Sequence, residues 1–201
     1  PQVELADVAR RASGSAARSI FGGFVELCLT PDGPRPTETR QVLEPSAWPL
    51  RVAVAVTDTG PKEISSTEGM VRTEQSSPFY GSWVNSSEED LAEARSAVER
   101  RDFEALAEVS ESSCLKMHAV MLSARPGLVY WNGATVACIR RVRDLRANGE
   151  PVFFTIDAGP QVKAVCAPEA FDRVAAELAA IEGVQRVLAS GLGEGARVVT
   201  G

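Results

Sequence analysis

Two groups of residues in this chain have types and spacing suited to chemistry. The first lies in RASGSAARSIFGGFVE, Arg11 to Glu26, where Ser13-Gly14-Ser15-Ala16-Ala17 form a small-residue loop ahead of Arg18. Small hydroxylated residues leave backbone amides open to an anion, and a guanidinium adds a planar fork for carboxylate or phosphate oxygens. Gly14 lets the backbone approach such a ligand closely. The plain alternative is a polar helix-to-strand turn, with Arg18 a surface arginine bridging to an acid, and spacing alone does not separate the two. The second group is Asp157-Ala158-Gly159-Pro160, directly after the apolar run VFFTI. A carboxylate at a strand end stands where ligands commonly meet folds, although local sequence by itself favours an Asx turn or cap. An arginine beside Asp157 would keep it ionised, ready to orient or deprotonate a substrate hydroxyl.

Other polar clusters have simpler readings. Ser65-Ser66-Thr67 could supply further hydroxyls to an anion, but local sequence favours a helix N-cap. His118, among Leu115, Met117 and Val120, reads as a packed, hydrogen-bonded core histidine, since no nucleophile pattern accompanies it. Arg140, Arg141, Arg143 and Arg146 form a solvated helix face. Gly191-Leu192-Gly193-Glu194-Gly195 lacks the following helix of a phosphate loop and reads as a terminal turn. Cysteines 28, 114, 138 and 166 show no metal-ligand spacing, which points to reduced thiols in a cytosolic protein and to no metal ligands.

The 201 residues, 44% of them hydrophobic, can bury a real core. A net charge of −6 without a basic run argues against nucleic acid or a membrane surface as partner. No apolar run approaches the roughly 20 residues that span a bilayer. Positioning falls to the following elements. Val3–Arg11 reads as a short helix, Ile20–Leu29 as a buried strand, Thr30–Pro36 as a loop and Leu50–Thr57 as a strand. Phe79–Val84 reads as helical. Ser86 or Ser87 then caps a separate helix, Glu88–Glu99. Phe103–Met121 and Asn132–Ala147 are further helices. Val152–Ile156, Val162–Cys166 and Val184–Ala189 read as strands, with a helix over Pro168–Glu182. The order favours an α+β sandwich over a doubly wound fold.

Several stretches together resemble the mevalonate diphosphate decarboxylase family, within the galactokinase-like small-molecule kinases, and most of all its bacterial forms. They are ARRASGSAARSIFGGFVE, EPSAWPLRVAVAV, SSTEGM, EEDLAEARSAVERRDFEALAEV, KMHA and TIDAGPQVKAVC, in the family's order and over essentially the whole chain. The resemblance implies that residues 1–49 end an N-terminal domain of the ribosomal S5 type. Residues 50–201 would form a ferredoxin-like α+β domain, with the active site in the cleft between. It implies ATP-dependent decarboxylation of mevalonate 5-diphosphate to isopentenyl diphosphate with Mg2+, in a cytoplasmic enzyme that is a homodimer when complete. By position, Arg18 would grip the substrate carboxylate and Asp157 would stand at the 3-hydroxyl as base or orienting group. Ser13 and Ser15, with the backbone of Gly14, Ala16, Ala17 and Arg18, would bind the 5-diphosphate, joined by Thr67.

The chain departs from the family at Ala12 (usually Gly), Ala17 (Cys or Ser) and Gln161 (Asn). None of these removes a charge. The chain opens inside a helix, and the resemblance places the ATP loop upstream of Pro1, so the 201 residues alone are expected not to turn over. A related mevalonate or phosphomevalonate decarboxylase, a 3-kinase that stops at the phosphate, and a non-catalytic fragment of the fold are the competing readings. Charged residues at both Arg18 and Asp157 lean towards decarboxylation.

Overall fold

Alternation in Leu50–Thr57 does produce a strand, and it becomes an inner strand of the larger of two antiparallel sheets. The computed structural model describes residues 2–29, 37–61 and 64–197. In chain order the elements are α1 (Gln2–Ala12), α2 (Gly14–Arg18), β1 (Phe24–Leu29), β2 (Thr37–Leu43), β3 (Arg51–Val56), α3 (Ser66–Ser76), α4 (Tyr80–Arg100), α5 (Phe103–Leu122), α6 (Gly133–Ala147), β4 (Val152–Thr155), β5 (Val162–Cys166), α7 (Phe171–Ala179) and β6 (Arg186–Gly191). The larger sheet runs β4-β5-β3-β6, and β1 and β2 form a separate pair. Helices and antiparallel sheets segregate as an α+β fold requires.

Side chains alternate between the faces of a strand, and the core divides accordingly. Ala53, Ala55, Val152, Phe154, Val162, Ala164 and Cys166 pack with Cys138, Ile139, Val142 and Leu145 of α6 and Val174 and Leu178 of α7. Phe153 and Val165 point the other way. They join Leu50 ahead of β3, Ala97 and Val98 of α4, Leu106, Ala107 and Val109 of α5, and Phe24, Val42 and Leu43 of the two-stranded sheet.

Several boundaries differ from the sequence reading. The strand expected from Ile20 begins only at Phe24, because residues 20 and 21 continue the turn of α2 through Ile20 N–H to Ala17 and Phe21 N–H to Arg18. It is also half-buried rather than buried. The expected loop Thr30–Pro36 lies outside the described residues. The two expected helices, Phe79–Val84 and Glu88–Glu99, are one, Tyr80–Arg100: the Ser86 and Ser87 hydroxyls donate back to the Trp83 carbonyl at 3.0 and 2.9 Å instead of capping a new start. Over Pro168–Glu182 a 3-10 turn, Pro168–Ala170, precedes a helix that stops at Ala179. Ser65 does cap α3, accepting from Glu68 N–H at 3.1 Å, and Asn132 caps α6 in a reciprocal box with Thr135.

A buried carboxylate ties the small sheet to α4. Glu26 of β1, its side chain 2% exposed, pairs across the ladder with Arg40 at 2.6 Å and receives the Arg95 guanidinium of α4. Burial alone would raise the Glu26 carboxyl, but hydrogen bonds from Arg95, Cys28 and Arg40 outweigh it and hold it below its ordinary value of 4.5. The native state therefore keeps this group charged while the unfolded chain takes up a proton. Its stabilisation is complete above the ordinary value and drains as pH falls through the lower native one. Denaturation midpoints of the protein should fall on acidification below about pH 4.5, and more gently in Glu26→Gln. Equal acid slopes in the two proteins would show that Glu26 is not the linked group.

Candidate active site

Asp157 follows β4, an outer strand of the larger sheet, whose open edge is covered by α5. Glu111, Cys114 and His118 recur along one face of that helix. Glu111 Oε1 accepts from the Phe154 N–H at 3.3 Å, and the Cys114 thiol donates to the Ile156 carbonyl at 3.5 Å. His118 Nε2 lies 3.3 Å from the same carbonyl and 3.3 Å from the Trp131 indole nitrogen. It serves one at a time, donating to Ile156 when protonated or accepting from Trp131 when not. A bare strand edge would invite another chain, and the polar stripe of α5 satisfies it instead. Burial holds His118 below the usual imidazole value and pushes Glu111 and Cys114 up. His118 is thus the buried, hydrogen-bonded histidine expected, 3% exposed, but its bond goes to the backbone immediately before Asp157.

The far side of the same turn is held as firmly. Gly159 N–H donates to the Asp157 carbonyl at 2.7 Å. The hydroxyls of Thr57 and Thr135 donate to the Pro160 carbonyl at 3.0 and 2.8 Å. Gln161, where the family usually has Asn, accepts from Thr57 N–H at 2.7 Å and donates to the Asp58 carbonyl. The backbone is pinned, yet the Asp157 side chain is 84% exposed and reaches Lys163 Nζ at 2.5 Å. Asp157 borders a groove of about 490 Å3 between α4 and α5, lined also by Trp83, Leu91, Ser113, Met117 and Thr155.

The Ser13–Ala17 stretch is not a loop. Residues 14–18 make one short helical turn, α2, with Ser13 extended at its head and 2.9 Å from Ser15 through their hydroxyls. Ala17 is fully buried, which fixes the turn against the protein and leaves Ser13, Ser15 and Arg18 exposed. Arg18 lines a shallow cavity of about 650 Å3 with Ser15, Ser19, Phe24 and residues 193–196. The glycine-rich C-terminal turn supplies that second wall. Gly23 N–H donates to Gly193 and Ala196 N–H to Ser19, at 2.8 and 3.0 Å. A Cβ on Gly22 would sit 2.8 Å from the Glu194 carbonyl carbon, so only glycine permits the approach. This contact was not read from the sequence, although glycines at 191, 193 and 195 are the kind of signal that marks close backbone packing.

The structure therefore brings Ser15 and Arg18 to one cavity, with Ser13 tied to Ser15 through its hydroxyl. Asp157 lines a different cavity, and its cation is Lys163 rather than Arg18. Thr67 is exposed in the first turn of α3 and borders neither cavity. Residues 52–198 match the family described as the mevalonate 5-diphosphate decarboxylase C-terminal domain. The chain belongs to the mevalonate diphosphate decarboxylase family. Residues 1–33 match the diphosphomevalonate decarboxylase-like N-terminal domain.

Among decarboxylases of this family, the human diphosphomevalonate decarboxylase is 35% identical over 163 residues, which cover 78% of this chain and 40% of the relative. The solved mevalonate diphosphate decarboxylase from Staphylococcus aureus is 31% identical with a TM-score of 0.87, covering 97% of this chain and 59% of that one. A solved complex of MDDEF with MVAPP, AMPPCP and magnesium is 33% identical with a TM-score of 0.86, covering 97% and 60%. The chain thus spans about 40–60% of the length of these decarboxylases. The AMPPCP and magnesium of that complex support use of ATP and Mg2+ in the decarboxylase family. Among the described residues no three His, Cys, Asp or Glu side chains are grouped so as to hold a metal ion. No described helix is long and apolar enough to cross a membrane.

Proposed function

We propose that this chain serves the ATP-dependent decarboxylation of mevalonate 5-diphosphate to isopentenyl diphosphate. The observation that carries the reading is Asp157 itself: a solvent-facing carboxylate on a turn clamped from both sides, at the mouth of a groove. A group so placed can accept the proton of a substrate hydroxyl without moving its backbone. ATP supplies the phosphoryl group that turns the 3-hydroxyl into a leaving group. As the C3–O bond breaks, positive charge grows at C3, and the electrons of the bond to the carboxylate carbon become the new double bond while carbon dioxide leaves. Fixed charge at the site is the main source of rate in such a step.

In this reading Arg18 holds the substrate carboxylate. Ser13 and Ser15, with the amides of residues 14–18, hold the diphosphate, and Thr67 adds a hydroxyl. The exposure of all three, the shared cavity of Ser15 and Arg18, and the hydroxyl contact of Ser13 with Ser15 support that assignment. Residues 1–49 belong with the N-terminal domain and 50–201 form the C-terminal one. The reading requires a substrate that reaches both the cavity of Arg18 and the groove of Asp157. A homodimer in the cytoplasm follows from the family resemblance. A bacterial-type member is supported by the Staphylococcus aureus likeness, although identity to the human relative is no lower.

Product analysis of the complete protein tests the reaction. Incubation with mevalonate 5-diphosphate and Mg-ATP is expected to release one carbon dioxide for each ADP, with isopentenyl diphosphate as the organic product. A stable 3-phosphate without carbon dioxide would replace the decarboxylase by a 3-kinase.

A further inference from the structure

We propose that Lys163 is the positioning residue for the Asp157 carboxylate, holding one oxygen so that the other stays available to the substrate hydroxyl. The inference rests on the catalytic reading of Asp157. The two partners are unequal. Lys163 belongs to β5, an inner strand, and its backbone is in register with Thr155 of β4 on one side and Val54 of β3 on the other. Its side chain is only 26% exposed, against 84% for Asp157. The lysine is therefore the anchored member and the aspartate the one that needs an anchor.

Among the described residues, Lys163 is the sole side-chain hydrogen-bond partner of the Asp157 carboxylate, with Nζ 2.5 Å from Oδ2. Asp90, which lines the same groove, pairs with Lys116 and not with this turn. Burial holds the His118 imidazole below its ordinary value and pushes the Cys114 thiol up. Both address the Ile156 carbonyl rather than the carboxylate. The ammonium takes Oδ2 and, among the described residues, no side chain donates to Oδ1. An exposed aspartate lacking this tether would sample its rotamers freely, and a misplacement of about 1 Å at a reacting group can cost on the order of 10²-fold in rate. Arg18, which makes no ion pair among the described residues, is left to bind an anion.

The test uses the complete protein with mevalonate 5-diphosphate and Mg-ATP. Lys163→Met is expected to lower kcat about 10–100-fold with both KM values changed by less than about 2-fold. Its melting temperature should be unchanged, and Lys163→Arg should recover most of the rate. Added to Asp157→Asn, Lys163→Met should cost nothing further, because the two act as one unit. If Asp157→Asn is inactive while Lys163→Met keeps wild-type kcat, the positioning role is overturned and the catalytic reading survives. If Lys163→Met loses rate only in proportion to lost folded protein, and Lys163→Arg does not rescue it, the lysine is structural and the proposal is again overturned. Full activity in Asp157→Asn would remove both.

Discussion

Asp157→Asn in the complete protein is expected to lower kcat by about 10²–10⁴-fold, the range that a general base contributes. The amide keeps the shape and one acceptor oxygen but cannot take up the hydroxyl proton. Lys163 retains a partner, and the backbone clamp formed by His118, Thr57, Thr135 and Gln161 does not involve the carboxylate at all. Folding should therefore be nearly untouched, since an exposed ion pair is worth at most about 1 kcal/mol. A loss towards the upper end identifies a base. A loss of about tenfold with unchanged KM identifies a group that only orients the hydroxyl. A kcat within about threefold of wild type would remove Asp157 from the chemistry. Stopped single-turnover measurements of ADP formation separate these outcomes from slow product release.

How far this site was legible depends on the range of the interaction. Asp157 at the end of VFFTI and the hydroxyls ahead of Arg18 could be picked out because each is a local pattern. Lys163 could not: six residues from Asp157, it meets the carboxylate only because Gly159 and Pro160 fold the chain back and β5 presents that side chain on the matching face. The same holds for α5. Glu111, Cys114 and His118 fall on one helical face, which reads as core by periodicity, yet their role is to finish the hydrogen bonding of a strand more than 30 residues away. No local rule announces that a helix will lie along a sheet edge.

The fold shows the same division. Strand β3 and helices α5 and α6 follow from their apolar periods, and the caps at Ser65 and Asn132 from side-chain chemistry. Strand β2, TETRQVL, has apolar residues only at its end, so nothing in its own composition predicts it. Pairing with β1 makes it a strand, and Arg40 contributes by meeting Glu26 across the ladder. Helix α4 was cut in two by a Ser-Ser pair whose hydroxyls turn out to bond the preceding turn. In each case a tertiary, i−3 or i−4 partner overrides a local preference.

Phe154→Ala is expected to cost about 3–5 kcal/mol, the typical loss when a buried phenylalanine is truncated. Its ring is fully buried on the face of β4 that packs against α6 and α7, with the Arg143 guanidinium 5.5 Å from the ring centroid. The backbone N–H of the same residue is bonded to Glu111, and both strand edges are occupied, so β4 cannot slide to fill the void. Against a total stability of about 5–15 kcal/mol this is a large fraction, and the guanidinium chloride midpoint should fall sharply with the m-value unchanged. Phe154→Leu, which keeps most of the volume, should lose less than half as much. A truncation cost below about 1.5 kcal/mol would show that the core around β4 relaxes freely. Activity is the second half of the test. The turn that carries Asp157 is held by hydrogen bonds from His118 of α5, Thr57, Thr135 of α6 and Gln161, so the folded fraction of Phe154→Ala should turn over at nearly the wild-type rate. Loss of stability with retained kcat here, and loss of kcat with retained stability in Asp157→Asn, would separate the scaffold from the chemistry within five residues of sequence.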